Sequence, residues 1–187
     1  MLSGDKRTRV SCSLVAFSGL RIQMLGNYRG TDGLKVMDFP EMVVSNGEVE
    51  FEAVPTLVVV RLAISKVGHQ YLTFLGEEGC NYLKEYLEER MRTGEKIGRD
   101  LPIITPRAAS LRGKHISTIN IGDIIRQAIR KAGFEWRPYV LRHYFDTQLL
   151  LAESKGLVIR DYRVFWMGHK GDIETNTPTG TGARRSC

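Results

Sequence analysis

The chain has 187 residues, 42% of them hydrophobic and 26% charged, with 27 Lys/Arg against 21 Asp/Glu and a formal net charge of +6. That is the make-up of one ordinary folded domain, and it excludes a disordered segment as the general state. No run approaches the roughly 20 apolar residues of a bilayer-spanning helix, and the three cysteines (Cys12, Cys80, Cys187) form neither a disulfide framework nor a zinc ligand set, which points to a reducing cytoplasm.

Lys6, Arg7 and Arg9 precede Leu14-Val15-Ala16-Phe17 in the manner of a signal peptide. Ser11, Ser13 and Ser18 interrupt the apolar run and Arg21 follows it closely, so none is expected. Leu14, Phe17, Leu20, Met24 and Leu25 recur at helical spacing and predict a helix over 11–28, ended by Gly26-Asn27 and Gly30-Thr31-Asp32-Gly33. Between Val49 and Leu75 the pattern turns to β-branched and bulky apolar residues. Pro55 separates two strands there, Ser65-Lys66-Val67-Gly68-His69 is a turn, and Gln70 to Leu75 is a third strand.

Glu77 to Arg92 reads as an amphipathic helix with Cys80, Leu83, Leu87 and Met91 on its apolar face. Its acids stand at the N-terminus and its bases at the C-terminus, as the helix dipole favours. Ser117 to Lys131 is a further helix, with Ile121, Ile124, Ile125, Ala128 and Ile129 inward, stopped by Gly133. Arg137-Pro138 opens the next, through Leu151, and a last short helix near 161–167 precedes Gly168. The reading is a mostly helical α+β domain over 1–174 with a small three-stranded antiparallel sheet. From Thr175 the sequence loses all apolar periodicity, so 175–187 is expected to be a disordered tail.

The charge is uneven. Arg99 to Arg142 holds nine Lys/Arg and three Asp/Glu, an excess equal to that of the whole chain. Such a concentration favours an anionic partner, although a solvated face has the same composition.

Three patterns stand in order: Phe17-Ser18-Gly19-Leu20-Arg21, then Tyr139-Val140-Leu141-Arg142-His143-Tyr144-Phe145, then Trp166-Met167-Gly168-His169-Lys170. Together they resemble the three boxes of the tyrosine recombinase (phage integrase) family, and look most like its archaeal branch. The resemblance runs from about Val10 to Glu174. It implies cleavage and rejoining of double-stranded DNA through a phosphotyrosyl intermediate, with no metal or cofactor, by a homo-oligomer (a tetramer on DNA). Arg21 and Arg142 then match the two arginines whose planar, permanently charged guanidinium groups suit a pentavalent phosphate. Lys66, in its turn, matches the lysine that protonates the leaving 5′ oxygen. His169 matches the phosphate-binding histidine, and His143 has a supporting place. Tyr139 stands where the family most often has histidine or lysine; with an unperturbed pKa of about 10 it is a donor rather than a base at neutral pH.

Each residue also has a plainer reading. Arg21 complements a helix dipole, Lys66 is solvated, Arg142 and His143 are a satisfied pair, and His169 belongs to a helix cap. A helix-turn-helix built from 117–131, Gly133 and the following helix is the alternative architecture, and a decayed integrase remnant is another. Convergence of Arg21, Lys66, Arg142 and His169 on one basic pocket counts against the helix-turn-helix.

The pattern breaks at the nucleophile. The family's tyrosine falls at Thr177, and the last tyrosine of this chain is Tyr162. Thr177 has a hydroxyl of far higher pKa and no evident base, so the chain as written is expected not to cleave. Codon arithmetic offers an origin. If Asn176 is AAT, its final T joined to the AC of Thr177 spells a tyrosine codon, and the shifted frame can continue Thr-Asn-Arg-Tyr-Arg. A frameshift near Glu174 therefore explains both the missing tyrosine and the odd tail. The chain also resembles a catalytic domain trimmed at both ends, without the family's upstream DNA-gripping domain.

Overall fold

The computed structural model describes residues 5–169. The tail over 175–187 and Thr177 lie outside the described residues. Helix α1 (Lys6–Ser18) starts where the Asp5 carboxylate accepts from the Thr8 amide at 2.7 Å. Every residue from Val10 to Ala16 is buried, because helices α3 (Glu77–Arg92), α4 (Thr118–Lys131) and α5 (Tyr139–Ser154) and strand β4 (Tyr71–Leu75) all pack against this helix. Ser11 and Ser13 are tolerated in the core because their hydroxyls donate back to the carbonyls of Arg7 and Val10.

The single helix expected over 11–28 is two pieces. α1 ends at Gly19, whose φ of +61° is left-handed, and a short α2 (Ile22–Leu25) follows. A Cβ at position 19 would lie 2.3 Å from the Phe145 ring. The chain therefore reverses there, at a residue that needs to be glycine on two counts.

The expected three-stranded sheet is instead two separate antiparallel hairpins. Strands β1 (Met42–Ser45) and β2 (Glu48–Phe51) form the first, and β3 (Thr56–Val60) and β4 (Tyr71–Leu75) the second. β1 was readable: Asn46-Gly47, with φ of 52° and 83°, is the two-residue turn that such a dipeptide favours. β3 and β4 alternate buried and half-buried residues along their length, so one face of this hairpin lies on the core.

The remaining helices follow their sequence signals. α3 (Glu77–Arg92) has the expected bounds. α4 (Thr118–Lys131) is capped by the Ser117 side chain, and α5 (Tyr139–Ser154) follows Pro138. α6 (Arg160–Trp166) ends at Met167-Gly168. The main core gathers α1, both hairpins, α3 and α4, with Leu14, Leu20, Leu25, Val58, Leu83 and Ile121 all fully buried. Phe145, Leu149 and Met167 form a smaller cluster with Phe74 and Trp166, which locks α5 and α6 onto β4. No helix among the described residues is long and apolar enough to cross a membrane.

Candidate phosphate-binding pocket

The three sequence boxes meet at one side chain. Arg142 is only 1% exposed. Its Nη1 donates to the carbonyl of Gly19, in the first box, and its Nη2 to that of Met167, in the third, at 2.5 Å. The helical spacing of Arg142, Phe145 and Leu149 explains the direction: all three form the buried stripe of α5. Tyr139, one turn earlier, is 53% exposed; its phenol interacts favourably with Arg142 and its ring meets the His143 ring edge-on at 4.5 Å.

Arg21 caps α2 in an extended conformation and is half-buried. Its Nη1 is buried and, like Nε of Arg142, makes no hydrogen bond with the described residues. The two guanidinium groups repel each other. Burial, then the nearby Arg21, push the Arg142 pKa down.

His169 follows Gly168 at the end of α6. The Gly168 amide bonds the Phe165 carbonyl at 2.8 Å and the His169 amide bonds that of Val164 at 3.0 Å, a helix cap with Gly168 left-handed at φ +61°. The cap reading is therefore correct for the backbone, and the side chain has a second character. Its pKa is lowered by desolvation, then by Arg142 and by Arg21. It is exposed yet shares the field of both arginines.

Tyr71 completes the pocket and is the residue that sequence reasoning missed. It is 1% exposed, its hydroxyl donates to the Met24 sulfur at 3.2 Å, and its phenol interacts with Arg142 and Arg21. A Cβ on Gly168 would lie 2.4 Å from its ring. The available signal was its place as the first residue of β4, directly after the Lys66 turn.

Lys66 lies in the β3–β4 connection as expected, exposed, and makes no hydrogen bond or ion pair with the described residues. The structure thus brings Arg21, Arg142 and His169 together, with Tyr139 beside them, and leaves Lys66 at the hairpin end. This convergence weighs against the helix-turn-helix, in which Arg21 has no reason to share a pocket with Arg142. Among the described residues no group of His, Cys, Asp or Glu is arranged to hold a metal ion. Such an arrangement suits an anion: two guanidinium groups and an imidazole share one field, with no carboxylate paired to Arg142 or Arg21 among the described residues.

Comparison with known proteins bears on the family and the fold. The sequence matches the phage integrase family over residues 6–176. No curated protein matches it. Among solved structures, the chain is similar to XerA recombinase (25% identity, TM-score 0.60), covering 91% of this chain and 52% of that one. It shares the fold of XerH site-specific recombinase bound to its difH substrate (20% identity, TM-score 0.54, 89% and 40% covered). It also shares the fold of the Tn1549 transposon integrase in complex with circular intermediate DNA (14% identity, TM-score 0.50, 93% and 54% covered). The chain spans about half the length of these structures.

Proposed function

The chain belongs to the phage integrase family, the tyrosine recombinases, and from that premise we propose that it is the catalytic domain of a site-specific DNA recombinase whose pocket grips one phosphate of duplex DNA. The observation that carries this reading is Arg142: a guanidinium buried to 1% exposure, bonded to two carbonyls and to the Tyr139 side chain, with no carboxylate paired to it among the described residues, and set beside a second arginine. A buried charge without a counter-ion costs several kcal/mol, and an anionic ligand removes that cost.

In this reading Arg21 and Arg142 stabilise the charge that builds on the non-bridging oxygens as a tyrosine oxygen attacks phosphorus. Lys66 delivers a proton to the departing 5′ oxygen, which requires its exposed loop to fold toward the DNA. His169 and Tyr139 donate hydrogen bonds to the phosphate. The phosphotyrosyl bond conserves the energy needed for rejoining. Assembly as a tetramer on DNA belongs to the same proposal.

With Thr177 at the nucleophile position, this chain binds the phosphate and does not cleave it. The proposed frameshift near Glu174 rests on the codon arithmetic of Asn176 and Thr177. The gene sequence tests it: a tyrosine codon in the shifted frame at 177 is expected, and an immediate stop codon there refutes it. A remnant that keeps the fold and the DNA grip without turnover is the second reading, favoured by Thr177 itself.

Binding of a fluorescent duplex, followed by anisotropy across a salt series, tests the phosphate grip. Affinity should fall steeply with salt, and Arg21→Gln should weaken it and flatten the salt dependence by the roughly 0.9 slope units of one phosphate contact. Unchanged affinity and slope for Arg21→Gln refute the assignment. A nicked duplex should give no covalent adduct with this chain.

A further inference from the structure

Beyond the phosphate pocket, we propose that the loop between α4 and α5 carries a separate binding site for an unstacked nucleobase of single-stranded DNA, formed by the rings of Phe134 and Trp136 and the cations Arg130, Lys131 and Arg137.

The two rings stack face to face, with centroids 4.2 Å apart and planes 16° from parallel. Both nevertheless face solvent, Phe134 at 46% and Trp136 at 54% exposure. Each ring spends one face on the other, so the exposure falls on the outer faces and edges. A pair that served the core would be covered, and neither ring belongs to the core clusters.

The platform is also held in place. Gly133 has a φ of +88°, its amide bonds the Arg130 carbonyl at 2.9 Å, and the Phe134 amide bonds that of Ile129 at 3.1 Å. This pair of bonds is the glycine cap that closes a helix, and it fixes the direction in which Phe134 leaves α4. Pro138, which is buried, fixes the other end.

The surroundings are cationic. Arg130, Lys131 and Arg137 are exposed and form no ion pair with the described residues; Glu135 is the one acid between them. Arg130 and Lys131 suit the negative end of α4, but the dipole does not account for Arg137 or for the exposed rings. Aromatic faces flanked by free cations are what a single strand selects: bases stack on the rings and phosphates follow the charges. Charge complementarity therefore favours nucleic acid over an apolar protein segment. The site lies immediately before Tyr139, so a strand held there approaches the helix that carries Arg142.

The test uses the full chain and a labelled oligothymidylate, followed by anisotropy and by quenching of tryptophan fluorescence. Saturable binding with quenching is expected. Trp136→Ala and Phe134→Ala should each weaken it about tenfold, and Trp136→Phe, which keeps a ring, should bind nearly as well. An abasic strand of equal length and charge should bind much more weakly. Equal binding of the abasic strand, or unchanged affinity in both alanine variants with native circular dichroism, overturns the site. Trp136→Ala should leave the binding of inorganic phosphate intact, so loss of the platform and loss of the phosphate pocket are distinguishable.

Discussion

Arg61 and Arg142 are both drawn out of water, and they end in opposite electrostatic situations. Arg61, at the end of β3, bonds the Asp38 carboxylate at 2.7 Å, the Gly33 carbonyl at 2.7 Å and Asp32 at 3.2 Å. Those bonds and charges outweigh its burial and hold its pKa above the ordinary value. Arg142 is more deeply buried, meets two carbonyls, and among the described residues has a positive neighbour and no paired carboxylate. Arg90 sides with Arg61: it is paired with Glu95 at 2.6 Å and with the carbonyls of Pro102 and Ile103. Burial of an arginine is thus not itself a sign of function. Where the counter-charge is built into the fold, the arginine is a structural tie; where none is paired to it among the described residues, an anion from outside is the partner we propose.

The largest expected effect tests the structural side. Arg61→Met strands the buried Asp38, whose pKa burial already pushes up, and should cost about 3 kcal/mol in urea unfolding. It should leave phosphate binding untouched. A smaller stability loss belongs to the pocket side. Gly19→Ala forces a left-handed alanine into the Phe145 ring and should cost roughly 1–3 kcal/mol. Since the Gly19 carbonyl accepts from Arg142, this variant should lose phosphate binding as well, which Arg61→Met does not.

How legible these differences are in sequence depends on range. α3, α4 and α5 were readable because apolar period, caps and breakers are local. The break at Gly19 was not, because Leu14, Phe17, Leu20 and Met24 keep helical spacing across it; only the Phe145 ring, far along the chain, shows why a glycine stands there. β1 went unread although Asn46-Gly47 announces a hairpin. For the site, the boxes identified Arg21, Arg142 and His169. The capture of Arg142 by the Gly19 and Met167 carbonyls, and the place of Tyr71 beneath Gly168, are contacts between distant segments that no local pattern encodes.

Titration gives a smaller and more specific signal. The His169 pKa is lowered by desolvation, then by Arg142 and Arg21. The folded state therefore takes up its proton at lower pH than the unfolded state. The stability linked to His169 is complete above the ordinary value near 6.5 and is lost as pH falls toward the lowered one. In an NMR titration, Arg21→Gln should move His169 back toward the ordinary value. Bound phosphate should do the same in the unaltered chain, and Arg61→Met should not. The smallest effect is expected at Lys66. Lys66→Ala, at an exposed turn with no hydrogen bond or ion pair among the described residues, should change stability by no more than about 0.5 kcal/mol. It should not alter binding of free phosphate, since its proposed role arises only with a leaving oxygen.

The most direct measurement of the central claim is the melting temperature of the chain against rising inorganic phosphate at constant ionic strength, for the unaltered protein, Arg21→Gln and Arg61→Met. A ligand that binds only the folded state raises the melting temperature with its concentration. The pocket account requires a clear phosphate-dependent rise in the unaltered chain, the same rise from a lower starting point in Arg61→Met, and little or none in Arg21→Gln. An equal rise in Arg21→Gln, or no rise in the unaltered chain, would contradict it.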